Sequence, residues 1–305
     1  MPTTPATFSI LLLCWNHAHY LEQCIRSLTE QTDQNFEIIF LDNRSNDGSF
    51  ELARELFSKY GLAATFLQNE RPEGISKNYN RLLAASTSDL VCMLSTDDWY
   101  SPHYIECISA KAETNQKSAV FVPNGYSVYE DGLSIPSRVP AYDETHVSTQ
   151  ILFEPDRFFW IGLCYRREAL VGVNGWDAQQ PIEDADLLYR LTKSMPITQL
   201  ADHLVYYRRS SSSISLNPVF MAKGRLAFYT KHRADFGNRW NGLVAEALRA
   251  GAAVAIDQGN YGGALKLLLS SLTHKPLLWS TWRTAFYFMR KIAGFGLARD
   301  RSQTA

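Results

Sequence analysis

The feature that most restricts the fold is a repeated alternation within the first hundred residues. "FSILLLCW" (8–15) is a short apolar run, suited to a strand buried on both faces. "YLEQCIRSLTEQ" follows, with Leu21, Cys24, Ile25 and Leu28 recurring at helical spacing. The strand-like "FEIIFLD" comes next, then the helical "SFELARELFSKYG", closed by Gly61, where a left-handed cap costs glycine little. "AATFLQN", "GISKNYNRLLAAS" and "LVCMLS" continue the series as strand, helix and strand. This order predicts an α/β fold with a mostly parallel, doubly wound sheet. Sheets of that kind take ligands at the carboxyl ends of their strands.

Beyond Pro102 the pattern loosens. "SPHYIECISAKAETNQ" predicts a helix with Ser101 as N-cap and Pro102 at its first position. "SAVFVPNGYSVYEDG" predicts a strand, and residues 133–155, rich in Pro, Ser, Thr and charge, a loop. From "FFWIGLCYRREAL" to "IEDADLLYRLTK" the expected order is strand, helix, turn, helix. "LADHLVYYRRSSSSIS" is a late strand running into a serine-rich loop, and almost everything after Asn217 is helix-like. The expected division is a domain over 1–217, with halves at about 1–102 and 103–217, and a helical C-terminal region over 218–305.

Balanced charge, 30 Lys and Arg against 31 Asp and Glu, gives no global basic field and so no pointer to nucleic acid. Five scattered cysteines, none in a CxxC pair, suit reduced core positions in a cytoplasmic protein. The N-terminus has neither a basic segment nor a long apolar one, so no signal peptide is expected. No apolar run approaches the roughly 18 residues of a spanning helix.

Two strands end in acids. The second closes with "LDNRSNDGS", holding Asp42, Asn43 and Asp47; the fourth closes with "STDDWYSP", holding Asp97 and Asp98. In a parallel sheet both turns lie on one edge, where they repel each other. A divalent cation with a diphosphate resolves that repulsion, because hard cations need only one or two carboxylates when phosphate supplies the rest. The competing explanation is ordinary turn chemistry, with Asp and Gly as turn formers and acids favouring a helix start. The two turns together favour the ligand site.

These stretches, taken in order, resemble family 2 glycosyltransferases. The resemblance runs through Asn16 after the first strand, the segment 21–32, Asp42 to Gly48, "RPEGISKNYN" with Gly74 and Asn78, "STDDWYSP", and the late Glu-Asp of "IEDADLLYRL". It covers roughly residues 8–215. It implies a nucleotide-binding glycosyltransferase A fold with a helical extension, a divalent cation (Mn²⁺ or Mg²⁺), and a UDP-, GDP- or dTDP-sugar donor. It also implies inverting transfer to a hydroxyl of a glycan or lipid-linked acceptor, in cell-surface polysaccharide or glycoconjugate synthesis. On this basis Asp42 contacts the base, Asp97 lies near ribose and metal, and Asp98 ligates the metal. Asn16, Asn43 and Asn78 belong to the donor site. Ser95 departs from the commoner pattern, which has an acid at that position.

An inverting transfer needs a base for the acceptor hydroxyl. The resemblance assigns Asp184 to that role, with Glu183 on the acceptor side and Asp186 anchoring the helix; first-turn helix electrostatics is the alternative. Arg208 is a candidate phosphate clamp or a surface-loop residue. Trp160 stacks on an acceptor sugar or fills the core. His17 and His19 are taken as loop residues. A sugar-nucleotide nucleotidyltransferase would also use strand-end acids, but "CWNHAHY" lacks the glycine and lysine expected of its loop. A nucleotide-sugar binder without activity is a third class. Finally, residues 275–301 carry Lys275, Arg283, Arg290, Lys291, Arg299 and Arg301 against Asp300, with Trp279, Trp282, Phe286, Met289 and Ala293 near one helical face. This predicts peripheral membrane contact, against packing on the catalytic domain or a homodimer seam.

Overall fold

The structure is a computed structural model that describes residues 8–145, 158–210 and 213–301. Its centre is β1 (Phe8–Cys14), buried along its whole length. β1 pairs in parallel with β2 (Phe36–Asp42) on one side and β4 (Leu90–Ser95) on the other, and β3 (Thr65–Gln68) extends the sheet beyond β2. The connecting helices α1 (Leu21–Thr29), α2 (Ser49–Lys59) and α3 (Ile75–Ala85) fall where the apolar spacing places them. Gly61 caps α2 at φ 66°.

The sheet continues past β4 with a change of direction. Its remaining strands are β5 (Trp99–Tyr100), β6 (Val120–Tyr129), β7 (Ser134–Pro136), β8 (Tyr142–Thr145), β9 (Cys164–Arg166) and β10 (Ile197–Arg209). The order is β3-β2-β1-β4-β9-β6-β10-β5, with β7 on β6 and β8 on β10. β9 is antiparallel to both β4 and β6, while β10 runs parallel to β6. The sheet is therefore parallel in its first half, β3-β2-β1-β4, and mixed beyond it.

Two apolar layers sandwich the sheet. Ile10, Leu12, Ile38 and Phe40 join the cluster under α1, α2 and α4 (Tyr104–Thr114). Leu11, Leu13, Ile39 and Leu41 join the opposite cluster with α3, α5 (Arg167–Gly172) and α6 (Glu183–Thr192). Each such side chain, fully removed from water, contributes roughly 1.5–3 kcal/mol. Both faces being covered explains why β1 and β2 read as continuous apolar runs rather than alternating ones.

Three sequence expectations need correction. Trp99 and Tyr100 form β5, an edge strand on β10, so the helix begins at Tyr104 rather than after Ser101; Ser101 instead closes a turn through its carbonyl to Tyr104 N (3.1 Å). Part of the expected loop at 133–155 is strand, namely β7 and β8, and positions 146–157 lie outside the described residues. In "FFWIGLCYRREAL" only Cys164–Arg166 pairs as strand.

The chain divides into two compact units, Met1–Ala178 with Glu183–Ser210, and Gln179–Ile182 with Ser211–Ala305. The second is helical: α7 (Pro218–Lys231), α8 (Trp240–Asp257), α9 (Tyr261–His274) and α10 (Trp279–Arg301). Asn217 caps α7 by accepting from Val219 N (3.1 Å) and Phe220 N (3.0 Å). Buried Val244, Leu248, Ala252 and Ile256 make α8 the centre of this unit. Among the described residues no helix is long and apolar enough to cross a membrane.

β6 and β10 meet closely at Gly125, where a Cβ would run into the Phe159 ring and the Val205 carbonyl. Gly125→Ala should lower stability by about 1–3 kcal/mol through overpacking, measured as a fall in the urea midpoint.

Candidate active site

Register assembles the first part of the site. Cys14 lies opposite Asp42, and Leu13 opposite Ser95. The turns after β2 and β4 thus flank the end of β1, two strand spacings or roughly 10 Å apart. The turn after β1 fills the gap. Asn16, at φ 57°, accepts from Asn46 N through Oδ1 (2.9 Å) and donates its own N–H to Ser45 Oγ (2.8 Å). His17 N donates to Ser49 Oγ (3.0 Å) and Ala18 N to Asp47 Oδ2 (3.0 Å). Asn16 and Asp47 thereby join the two turns into one rigid rim.

Inside that rim, two acids each have an oxygen that makes no hydrogen bond. Asp42 is fully buried; its Oδ2 accepts from Ser45 N (3.1 Å) and Gln68 Nε2 (3.1 Å). Its Oδ1 and Asp97 Oδ1 are buried and make no hydrogen bond among the described residues. Such orphans are rare in folded proteins and call for a ligand or strain as explanation. Asp98 is buried and accepts from the Arg208 backbone N (2.8 Å). Burial, with the Asp97 charge beside it, pushes the Asp98 carboxyl well above the usual carboxylate range, and Arg208 offsets only part of this.

His17 belongs to this corner although it reads as a loop residue in the sequence. Its Nδ1 lies 2.9 Å from Thr96 Oγ1 and 3.8 Å from Asp97 Oδ1. Arg208 is folded back onto the protein: Nε donates to the Asp97 carbonyl (3.0 Å), Nη2 to Gln23 (2.6 Å), and the guanidinium lies over Tyr20 (4.5 Å) and Trp99 (5.0 Å).

Asn43 and Asn78 act as scaffold in this structure. Asn43 Oδ1 accepts from Asn69 Nδ2 (2.8 Å) and Glu73 N (2.8 Å), and its Nδ2 donates to the Glu73 carbonyl (3.0 Å). Asn78 Oδ1 accepts from the same Asn69 amide (2.7 Å). Together they fix the approach to α3.

α3 in turn holds the segment leading to the second acid group. Asn80 donates to the Trp176 carbonyl (2.7 Å) and accepts from Trp176 N (2.9 Å), and Ser76 Oγ donates to the Asp177 carbonyl (3.0 Å). Gly175 permits this approach at φ 62°, since a Cβ would strike Asn80 Oδ1. Asp186 pairs with Arg190 (2.8 Å), whose other nitrogens reach the carbonyls of Val173 (2.6 Å) and Gly175 (2.7 Å). Asp186 is therefore an anchor, leaving Glu183 and Asp184, both half-buried, in the first turn of α6.

Burial raises both carboxyls, and the Asp184 charge raises Glu183 further. Asp184 Oδ1 accepts from Ala185 N (2.7 Å). Tyr79 links the two acid groups. It stacks on Trp176 at 5.3 Å, and its phenol is pushed upward first by burial and then by Glu183, Asp97, Asp98 and Asp184. Tyr165 meets Trp176 edge-on at 6.1 Å, completing an aromatic wall. Trp160 is half-buried, edge-on to Phe158 at 5.8 Å, and packs on the α3–α6 core layer.

Among the described residues no three His, Cys, Asp or Glu side chains converge as a metal cage. The acids of the corner supply oxygen donors alone, two of them making no hydrogen bond, which suits a hard divalent cation sharing its ligands with a phosphate.

The profile of Glycosyl transferase family 2 matches residues 9–170, more than half of the chain. The chain belongs to this family. The family match contains Asp42, Asp97 and Asp98 and stops before Glu183 and Asp184. Among curated relatives, the succinoglycan biosynthesis protein ExoA of Rhizobium meliloti is 26% identical, over 95% of this chain and 98% of that one. An uncharacterised glycosyltransferase of Nostoc is 27% identical over 66% of this chain and 64% of its own. A putative glycosyltransferase of Bacillus subtilis, EpsH, is 31% identical over 34% and 29%. The chain thus spans under two thirds of the length of these last two relatives. Two solved structures share the glycosyltransferase A fold. S. aureus TarS 1-349 with UDP-GlcNAc has a TM-score of 0.67 and 16% identity, over 88% of this chain and 81% of that one. The mannosyltransferase PcManGT of Pyrobaculum calidifontis with GDP-Man and Mn²⁺ has a TM-score of 0.61 and 14% identity, over 96% and 87%.

Asn80→Ala leaves the buried N–H and carbonyl of Trp176 unpaired, a cost of about 1–3 kcal/mol. The expected outcome is a lower melting temperature together with a lower transfer rate, while donor affinity stays within about twofold of wild type; calorimetric donor titration and a turnover assay check it.

Proposed function

We propose that the chain is an inverting, metal-dependent glycosyltransferase that moves a sugar from a nucleotide diphosphate to a hydroxyl of a glycan or lipid-linked acceptor. The observation that carries this reading is the pairing of two acid groups across Tyr79. One has buried oxygens without a hydrogen bond at a parallel strand edge; the other has raised proton affinity. Support also comes from relatives: PcManGT was solved with GDP-Man and Mn²⁺, TarS with UDP-GlcNAc, and ExoA is named for succinoglycan biosynthesis.

In this reading Asp42 receives the base and Asp97 the ribose side. Asp98, with Asp97, holds the divalent cation, which when bound neutralises charge on the leaving diphosphate. His17, held by Thr96 (2.9 Å), lies beside that carboxylate. Asp184 accepts the proton of the acceptor hydroxyl as its oxygen bonds to the anomeric carbon. The bond from that carbon to the phosphate oxygen breaks, and its electron pair leaves with the diphosphate. Burial keeps the proton affinity of Asp184 high, so the base is stronger than a solvated Asp, while burial and the Asp184 charge together hold Glu183 in its neutral form. Asn16, Asn43 and Asn78 shape the donor pocket through the backbone they hold. Arg208 is poised over Trp99 beside the phosphate position, and Trp160 offers a ring on the acceptor side.

A thermal-shift screen of UDP-, GDP- and dTDP-sugars tests donor binding. One of them should stabilise the protein in the presence of Mn²⁺ or Mg²⁺ only, by about 2.7 kcal/mol at a hundredfold excess over Kd. Asp98→Ala should lose this response; stabilisation without metal that survives in Asp98→Ala would overturn the assignment. Asp184→Asn should retain donor binding and lower kcat by about 10²–10⁴-fold; normal turnover there removes Asp184 as base.

The pH profile is a separate check. Asp184 acts ionised, so activity falls as pH drops through its raised pKa. The acid limb of kcat/KM should therefore lie above the ordinary aspartate range of about 4. Glu183, pushed up to about 8, is neutral across that limb, so Glu183→Gln should leave the limb in place. The other groups packed around the pair, Tyr79 and Tyr165, have raised phenols and stay neutral across that window. A limb that moves down in Glu183→Gln would show that a Glu183 charge, not burial, raises Asp184.

A further inference from the structure

The last helix of the C-terminal unit is packed with its apolar side outward. Its inner positions are Thr281 (0% exposed), Thr284 (7%) and Phe288 (9%). Trp279 (77%), Trp282 (52%), Phe286 (59%) and Met289 (59%) are exposed, and their spacing places them along one stripe. Polar bonds hold the other side in place: Thr281 Oγ1 lies 2.8 Å from Ser271 Oγ, and Arg249 donates to Thr284 (3.4 Å). A surface helix ordinarily turns such a stripe toward the core. Exposed large apolar patches mark interaction sites. The sequence supplied the stripe but not which way it points.

Charge gives the second observation. Residues 211–305 carry 13 Lys and Arg against four Asp and Glu, whereas residues 1–210 carry 17 against 27. The near-neutral total conceals a basic C-terminal stretch and an acidic remainder. Arg283, Arg290 and Lys291 are exposed on α10 itself, and residues 279–293 contain no acid.

We propose that this face of α10 docks on an anionic lipid bilayer. The helix lies in the interfacial plane, with Trp279, Trp282, Phe286 and Met289 entering the acyl boundary. Arg283, Arg290 and Lys291 reach lipid phosphates, their aliphatic stems lying along the apolar surface. The Trp282 indole N–H donates to the Pro276 carbonyl (2.7 Å), which orders that ring on the exposed side. Two copies meeting through this face would bring six cations together with no acid opposite. A nucleic acid would engage the cations and leave four large apolar side chains in water. A lipid surface satisfies both sets at once. The inference stands apart from the transferase reading, since it concerns binding in the absence of donor.

Cosedimentation of the full chain with vesicles tests it. The protein should pellet with phosphatidylcholine vesicles containing phosphatidylglycerol, and only weakly with phosphatidylcholine alone. A triple variant, Arg283→Glu with Arg290→Glu and Lys291→Glu, should bind the anionic vesicles roughly 100-fold less tightly. Trp282→Ala with Phe286→Ala should also weaken binding, and wild-type tryptophan fluorescence should shift to the blue on the vesicles. All five side chains are exposed, so circular dichroism should show both variants folded. Failure to pellet, or equal pelleting of wild type and both variants, overturns the proposal. A dimer in analytical ultracentrifugation that Trp282→Ala dissociates would assign the face to a second copy. Retention of RNA without vesicle binding would assign it to nucleic acid.

Discussion

Parallel pairing of β1 with both of its neighbours is the constraint on which the rest of the site depends. A one-residue slip on either side would turn Asp42 or the Thr96–Asp98 turn toward the opposite face, because side chains alternate along a strand. The register holds because β1 and β2 present apolar residues to two separate core layers, so any slip exchanges the residues of both layers at once. Burial of plain hydrophobic surface thus fixes the placement of charged groups that are themselves costly to bury. The acid corner is unfavourable in isolation and persists because the sheet beneath it has no alternative pairing of comparable stability.

Around that corner the structure uses polar side chains to join turns rather than to face solvent. Asn16 and Asp47 bind two loops together; Asn43, Asn69 and Asn78 bind a third. In a dry environment each such bond is worth more than at the surface, and each missing partner costs more. Beside these bonded turn residues, Asp42 Oδ1 and Asp97 Oδ1 make no hydrogen bond among the described residues. They are the local exceptions expected where a fold serves binding rather than stability alone.

Much of the first hundred residues was legible because their signals are local. Apolar runs, helical spacing and Asp-Gly turns all report on their own neighbourhood, and their order implies which strand ends share an edge. The mixed half was harder. β9 is only three residues long and enters the sheet against the direction of its neighbours, and β5 is two residues held by β10, more than 100 positions away. Nothing within those segments announces such partners. The same distinction applies to single residues. Asp98 announced itself by its neighbours in sequence, whereas His17 belongs to the site only because the β1 turn folds against Thr96, 79 residues away. Ser76 and Asn80, four apart on α3, were a visible pair of polar residues beside buried Tyr79 and Leu83, but their task depends on a segment near residue 176. Asn43 and Asn78 illustrate the converse, being conspicuous in sequence and occupied by scaffold in space. Arg208 is similar, with a position near phosphate implied by resemblance and a structure that ties its nitrogens to Asp97 and Gln23.

The clasp between α3 and the Trp176 backbone has a consequence for how the site accommodates different sugars. A helix is stiff along its axis, so Ser76 and Asn80 act as a fixed caliper between the strand-edge acids and the pair on α6. The gap is set before any ligand arrives, and little ordering remains to be done on binding. Enlarging that gap would mean breaking the caliper, with loss of alignment at both jaws. On the proposed function, changes of donor or acceptor would be more accessible through the rim at residues 15–19 and 44–48, where turn residues can be exchanged while the caliper stays closed.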